Sequence, residues 1–129
     1  MSDKFTLSGD FRGSIVNIKS ELQNVQQTIG QIQTDDSDTR RELQQLIQQL
    51  SDELEKTPPE KKEAAEAVSA TAKVLVDQAK AEKPNQTMIQ IAGEGLKQAA
   101  KNLVDVAPLV INIATQIVLA IGRIAGGPR

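Results

Sequence analysis

Between Phe11 and Ile32 the apolar residues fall at Phe11, Ile15, Ile18, Leu22, Val25, Ile29 and Ile32, in alternating steps of four and three. That spacing lines one side of an α-helix. Most residues between them are polar, many of them Gln, Asn or Ser. The stripe is narrower than the face a helix turns toward a globular core and has the width of an a/d seam. With Ile15, Leu22 and Ile29 at a and Ile18, Val25 and Ile32 at d, Ile predominates at both sites. In parallel coiled coils that mixture favours trimers or larger assemblies. A second reading needs only one chain: the stripe zips against Leu43, Ile47, Leu50 and Leu54 of the next helix, across a turn at 34–38.

The same periodicity continues along the chain. The first helix starts near residues 14–17 and runs to about Gln33, where the cluster Thr34-Asp-Asp-Ser-Asp38 ends it. Ser37 or Asp38 can cap a second helix over about 39–56, and Thr39 with Glu42 has capping-box form. Thr57 is placed to cap a third helix, with Pro58 in its first turn. That helix extends to about Glu82 with Ala64, Ala67, Val68, Thr71, Ala72, Leu75 and Ala79 inward. A fourth, over about 86–104, turns Ile89, Ala92, Leu96, Ala99, Ala100 and Leu103 inward. Gly93 and Gly95 weaken it by roughly 1 kcal/mol each relative to Ala, which calls for a packing reason or a break. Asp105 can cap a fifth helix over about 106–125, with Pro108 in its first turn. Short connections make consecutive helices antiparallel. The expected fold is all-α: an antiparallel bundle of about five helices.

Residues 1–16 read differently. Phe5, Leu7, Phe11, Gly13 and Ile15 alternate around Ser8-Gly9-Asp10, the pattern of a short β-hairpin; an N-terminal arm is the other reading. The domain division is therefore 1–16 for this segment and 17–129 for the bundle.

The most apolar run lies near the C-terminus. From Val106 to Gly122 no residue is charged, and only Asn112, Thr115 and Gln116 are clearly polar. Leu109, Val110, Ile113, Ile117, Val118, Ile121 and Ile124 make this either a helix buried among neighbours or a membrane-seeking one.

Composition narrows the chemistry. Of 129 residues, 39% are hydrophobic but only 2% aromatic, so the core is Leu, Ile, Val and Ala, the materials of helix-on-helix packing. The absence of His and Cys removes the usual neutral-pH base, thiol nucleophiles and Cys/His zinc sites. A net charge of −2 without a basic stripe or stacking aromatics argues against nucleic acid. Glu60, Glu63 and Glu66 suit a solvated first turn. No Gly-rich phosphate loop, EF-hand spacing or nucleophile motif is present. The chain reads as a non-enzyme without cofactor or metal. The start MSDKFTLSGDF lacks a signal-peptide pattern, which points to the cytoplasm, with membrane association under the second reading of the C-terminal helix.

The stretch GDFRGSIVNIKSELQNVQQTIG, residues 9–30, resembles a segment of small uncharacterised bacterial proteins frequent in cyanobacteria. Those resemble modules attached to, or encoded near, conflict and programmed-death machinery. The resemblance extends through GEGLKQAAKNL, residues 93–103, and the apolar C-terminal helix. It implies regulated assembly or membrane action and supplies no catalytic residues. Two functions are thus expected. One is helix-mediated self-association, as an oligomerising adaptor or filament-forming module meeting copies of itself or another protein through Ile15, Ile18, Leu22, Val25, Ile29 and Ile32. The alternative is a membrane-active, pore-forming type of effector using helix 106–125.

Overall fold

A computed structural model describes residues 17–81 and 83–125. The proposed N-terminal hairpin, Ile15 and the Gly-Gly-Pro-Arg ending lie outside the described residues. Within them the chain forms five α-helices and no strand: α1 over 17–30, α2 (Ser37–Leu54), α3 (Lys62–Lys80), α4 (Gln86–Lys101) and α5 (Leu109–Ala125). A short 3-10 turn, Pro59–Lys61, leads into α3.

The local chemistry sets the helix ends, and in several places it shifts the expected ones. α1 ends at 30 rather than 33, closing with short-range bonds from the Gln31 and Ile32 N–H groups to the Thr28 and Ile29 carbonyls. Arg40 Nη1 then donates to the Ile32 carbonyl at 3.0 Å. The cap of α2 is Asp36, not Ser37 or Asp38: its carboxylate accepts from the Thr39 N–H at 3.0 Å and from the Thr39 hydroxyl at 2.6 Å. Three residues separate cap and donor, the standard span for satisfying an unpaired first-turn N–H. Thr57 does not cap α3. The chain enters through the 3-10 turn instead, and the Thr57 hydroxyl is buried without a hydrogen-bond partner.

Asn85 caps α4, its side-chain oxygen accepting from the Met88 N–H at 3.1 Å. The helix runs unbroken through both glycines and ends at Lys101, short of the expected 104. The reason for Gly93 is packing: a Cβ there would lie 3.2 Å from Val118 Cγ1 on α5. α5 begins at Leu109, three residues later than expected. The turn 102–106 and Pro108, whose ring resists continuation of a helix, separate it from α4.

The helices close around one aliphatic core. α1 and α2 form one antiparallel pair, α3 and α4 another, and α5 folds back along α4 while lying extensively against α2. Arg123 meets Glu42 at one end of the α2–α5 contact, and Lys56 lies with Leu109 at the other. α1 also reaches α3, where the Ser69 hydroxyl donates to Glu21 Oε1 at 2.9 Å. Because α3 is packed on more than one side, its buried face is wider and rotated from expectation. Ala65, Ser69 and Val76 are inside, whereas Ala67 is exposed and Ala64 half-buried.

Candidate interaction surfaces

The α1 stripe is covered by its own chain. Ile18, Leu22, Val25, Ile29 and Ile32 are at most 3% exposed and join Leu43, Ile47, Leu50 and Leu54 in the core. The geometry realises the intrachain of the two sequence readings: a second copy could reach these side chains only after α1 had left α2. Polar flanks hold the pair in register. Gln26 Nε2 donates to the Gln44 main-chain carbonyl at 2.9 Å, and Gln44 Nε2 donates to the Gln26 carbonyl at 3.0 Å. Lys19 and Glu55 add a loose ion pair at 3.6 Å.

α5 is divided between core and solvent. Val110, Ile113, Ile117 and Ile121 are buried, and Val118 and Ile124 are packed partly against the core. Leu109 departs from the expected set: it is 55% exposed, and Leu119 on the same side is 63% exposed. Between them Asn112 and Gln116 are also exposed, and Arg123 follows one turn on. The positions 109, 112, 116, 119 and 123 advance by three, four, three and four, so they form one line along the helix. This uncovered strip was hidden in the sequence by the apolar residues flanking it. Its signal was the placement of Asn112 and Gln116, which mark the side that meets water. No described helix is long and apolar enough to cross a membrane. The seventeen residues of α5 span about 25 Å at 1.5 Å per residue, less than the ~30 Å of a bilayer's hydrocarbon core.

A second uncovered region lies on the α3–α4 pair. Val74, Met88 and Ile91 are exposed, and Gly95 approaches Thr71 across the pair. Val104 and Val106 are exposed on the turn into α5.

Two grooves accompany these surfaces. One, of about 430 Å³, runs between α2 and α5, lined by Gln49, Asp52, Glu53, Lys56, Leu109, Asn112, Ile113 and Gln116. Its Lys56 is bound to Glu53 at 3.1 Å. The other, of similar volume, lies at the opposite end among Gln31, Ile32, Lys80, Pro84 and Ile124. Among the described residues, no group of three or more acidic side chains is arranged to hold a metal ion. The perturbed acid–base groups have structural causes. Hydrogen bonds from Thr39 hold the Asp36 carboxyl below its ordinary range, and the bond to Asp77 raises Lys73. Neither group lines a groove.

No protein-family model matches this chain, and no curated protein or solved structure matches it either.

Proposed function

We propose that this chain is a non-catalytic helical-bundle module that acts by self-association, through outer helix faces rather than through the α1 stripe. The observation carrying this reading is on α5. The most apolar helix of the chain keeps a continuous strip uncovered, with Leu109 and Leu119 more than half exposed. Scattered surface leucines are ordinary, but aligned ones on a helix ridge suit a partner helix. The chemistry of the chain is consistent with this role. It has no His or Cys, and its two grooves are lined by amides, aliphatic groups and ordinary surface charges.

Multi-angle light scattering over a concentration series, without detergent, tests the reading. The mass should rise above that of the monomer as concentration increases. A strictly monomeric protein at every concentration would reject self-association. Sedimentation of that monomer with anionic vesicles would favour the membrane-acting alternative instead.

A further inference from the structure

The groove between α2 and α5 lies at the end of the bundle where α1 begins. Lys19, in the first turn of α1, meets Glu55 at 3.6 Å. The next residue, Lys56, lines the groove with Asp52, Glu53, Leu109 and Ile113. The chain ahead of Asn17 therefore joins α1 about one helix width, 10–12 Å, from the groove. Its side chains complement what the groove presents. Phe11 and Arg12 are adjacent in sequence, and the six-residue step from Phe11 to Asn17 spans up to about 20 Å. We infer that Phe11 and Arg12 dock in the α2–α5 groove of their own chain, Phe11 against Leu109 and Ile113 and Arg12 beside Asp52.

The groove suits both groups. Leu109 is 55% exposed, and with Ile113 it offers aliphatic surface that an aromatic ring would remove from water. Glu53 already holds Lys56 at 3.1 Å. Asp52 accepts an amide hydrogen bond from Gln48 Nε2 at 3.1 Å and, among the described residues, has no cation beside it. The lining thus carries one carboxylate that its own cation does not balance, and a guanidinium supplies the missing charge. The amides of Asn112 and Gln116 can donate to and accept from the main chain of a docked segment, whatever its sequence. Lys4 and Phe5 repeat the pairing of ring and cation, but on a tether twice as long, which costs more entropy to close. Gly126-Gly-Pro-Arg129 follow α5 at its far end and bring no large apolar side chain. A docked Phe11 covers Leu109, so it competes with a second copy for one end of the α5 strip; this consequence, unlike the docking itself, rests on the self-association reading above.

Phe5 and Phe11 are the only aromatic residues of the chain, so aromatic proton signals report on this segment alone. The full chain, with its Leu and Ile methyl groups labelled, is studied by NMR at a dilution where light scattering gives the monomer mass. Phe11 ring protons should show nuclear Overhauser contacts to the Leu109 and Ile113 methyl groups. Arg12→Glu should shift the docked equilibrium roughly tenfold toward release, read from the ring chemical shifts, and adding Asp52→Lys should restore it. Ring contacts to Leu54 instead would place Phe11 in the α1–α2 seam and overturn the docking. Absence of ring–methyl contacts would overturn it too, as would contacts seen only at concentrations where the chain associates, since the host would then be a neighbouring copy. Phe11→Ser, checked for unchanged melting, should raise self-association several-fold by freeing Leu109. Unchanged association in that variant, with the ring contacts present in wild type, overturns the competition. Ring contacts in a chain that stays monomeric at every concentration, with or without Phe11, leave the docking standing and overturn self-association.

Discussion

Gln26 and Gln44 clasp α1 to α2 by exchanging hydrogen bonds, each side-chain amide donating to the other's main-chain carbonyl. Only an amide does this without leaving a charge at the part-buried edge of the pair. Gln44→Ala should lower stability by about 1 kcal/mol, the usual net value of one such bond. Gln44→Glu should cost more, because a carboxylate oxygen would then face the Gln26 carbonyl oxygen. Urea melts of the two variants decide this. Equal stability of Gln44→Glu and wild type at neutral pH would show that the clasp is not formed in solution.

The stripe residue Val25 separates core from interface. It is buried within one chain, so Val25→Ala should cost about 2 kcal/mol of folding stability through lost burial and the cavity left behind. The association constant of the folded protein should stay unchanged. A loss of oligomer size with unaltered melting would return the stripe to an intermolecular role.

The two glycines of α4 should respond differently to alanine. A Cβ at Gly95 would lie 3.7 Å from Thr71 Cγ2, an ordinary contact, whereas at Gly93 it would press on Val118 at 3.2 Å. Gly95→Ala should therefore raise stability by close to the full helix-propensity gain of about 1 kcal/mol. Gly93→Ala should gain clearly less, since Val118 must give way. Thermal melts of the two variants, measured side by side, check the order.

The Thr57 hydroxyl is buried without a partner. Thr57→Val keeps the shape and removes the unsatisfied group, so it should stabilise the fold by about 1 kcal/mol. A destabilised variant in a denaturant titration would mean that the hydroxyl has a partner in solution, such as a bridging water.

The Asp36 cap gives the bundle an acid-sensitive contact. Hydrogen bonds from the Thr39 hydroxyl and N–H, with a smaller contribution from Arg123, hold its folded pKa below the ordinary 3.8. The ionised carboxylate therefore stabilises the fold above that ordinary value, and the contribution fades as pH falls through the lower folded value. Asp36→Asn keeps a capping side chain but does not titrate. Wild type should melt above Asp36→Asn near neutrality, and the gap should close below about pH 4. A gap that stays constant through that range would remove the linkage.

The helices and their breaks were legible because the signals are local. Apolar periodicity marked five segments, and Pro58 and Pro108 marked two of the connections. The cap of α2 was misplaced by one or two residues because Asp36, Ser37 and Asp38 are all competent, and only the Thr39 bonds select among them. The tertiary partners were less legible. The stripe from Ile18 to Ile32 is equally consistent with an inner or outer partner, and nothing in its own spacing distinguishes them. The rotated face of α3 reflects neighbours distant in sequence, including Glu21 against Ser69. Likewise the burial of Ile117 and the exposure of Leu119 depend on where α2 and α4 lie, not on either side chain's hydrophobicity.

The placement of α5 against α2 bears on synthesis of the chain. The face of α2 that α5 covers is translated some fifty residues before its cover. At 5–20 residues per second, that leaves an interval of roughly 3–10 s. During that interval a nascent α1–α2 hairpin offers uncovered aliphatic surface to chaperones or to hairpins on neighbouring ribosomes. Emergence of α5 closes that interval, and the Glu42–Arg123 contact, between residues 81 positions apart, marks its arrival.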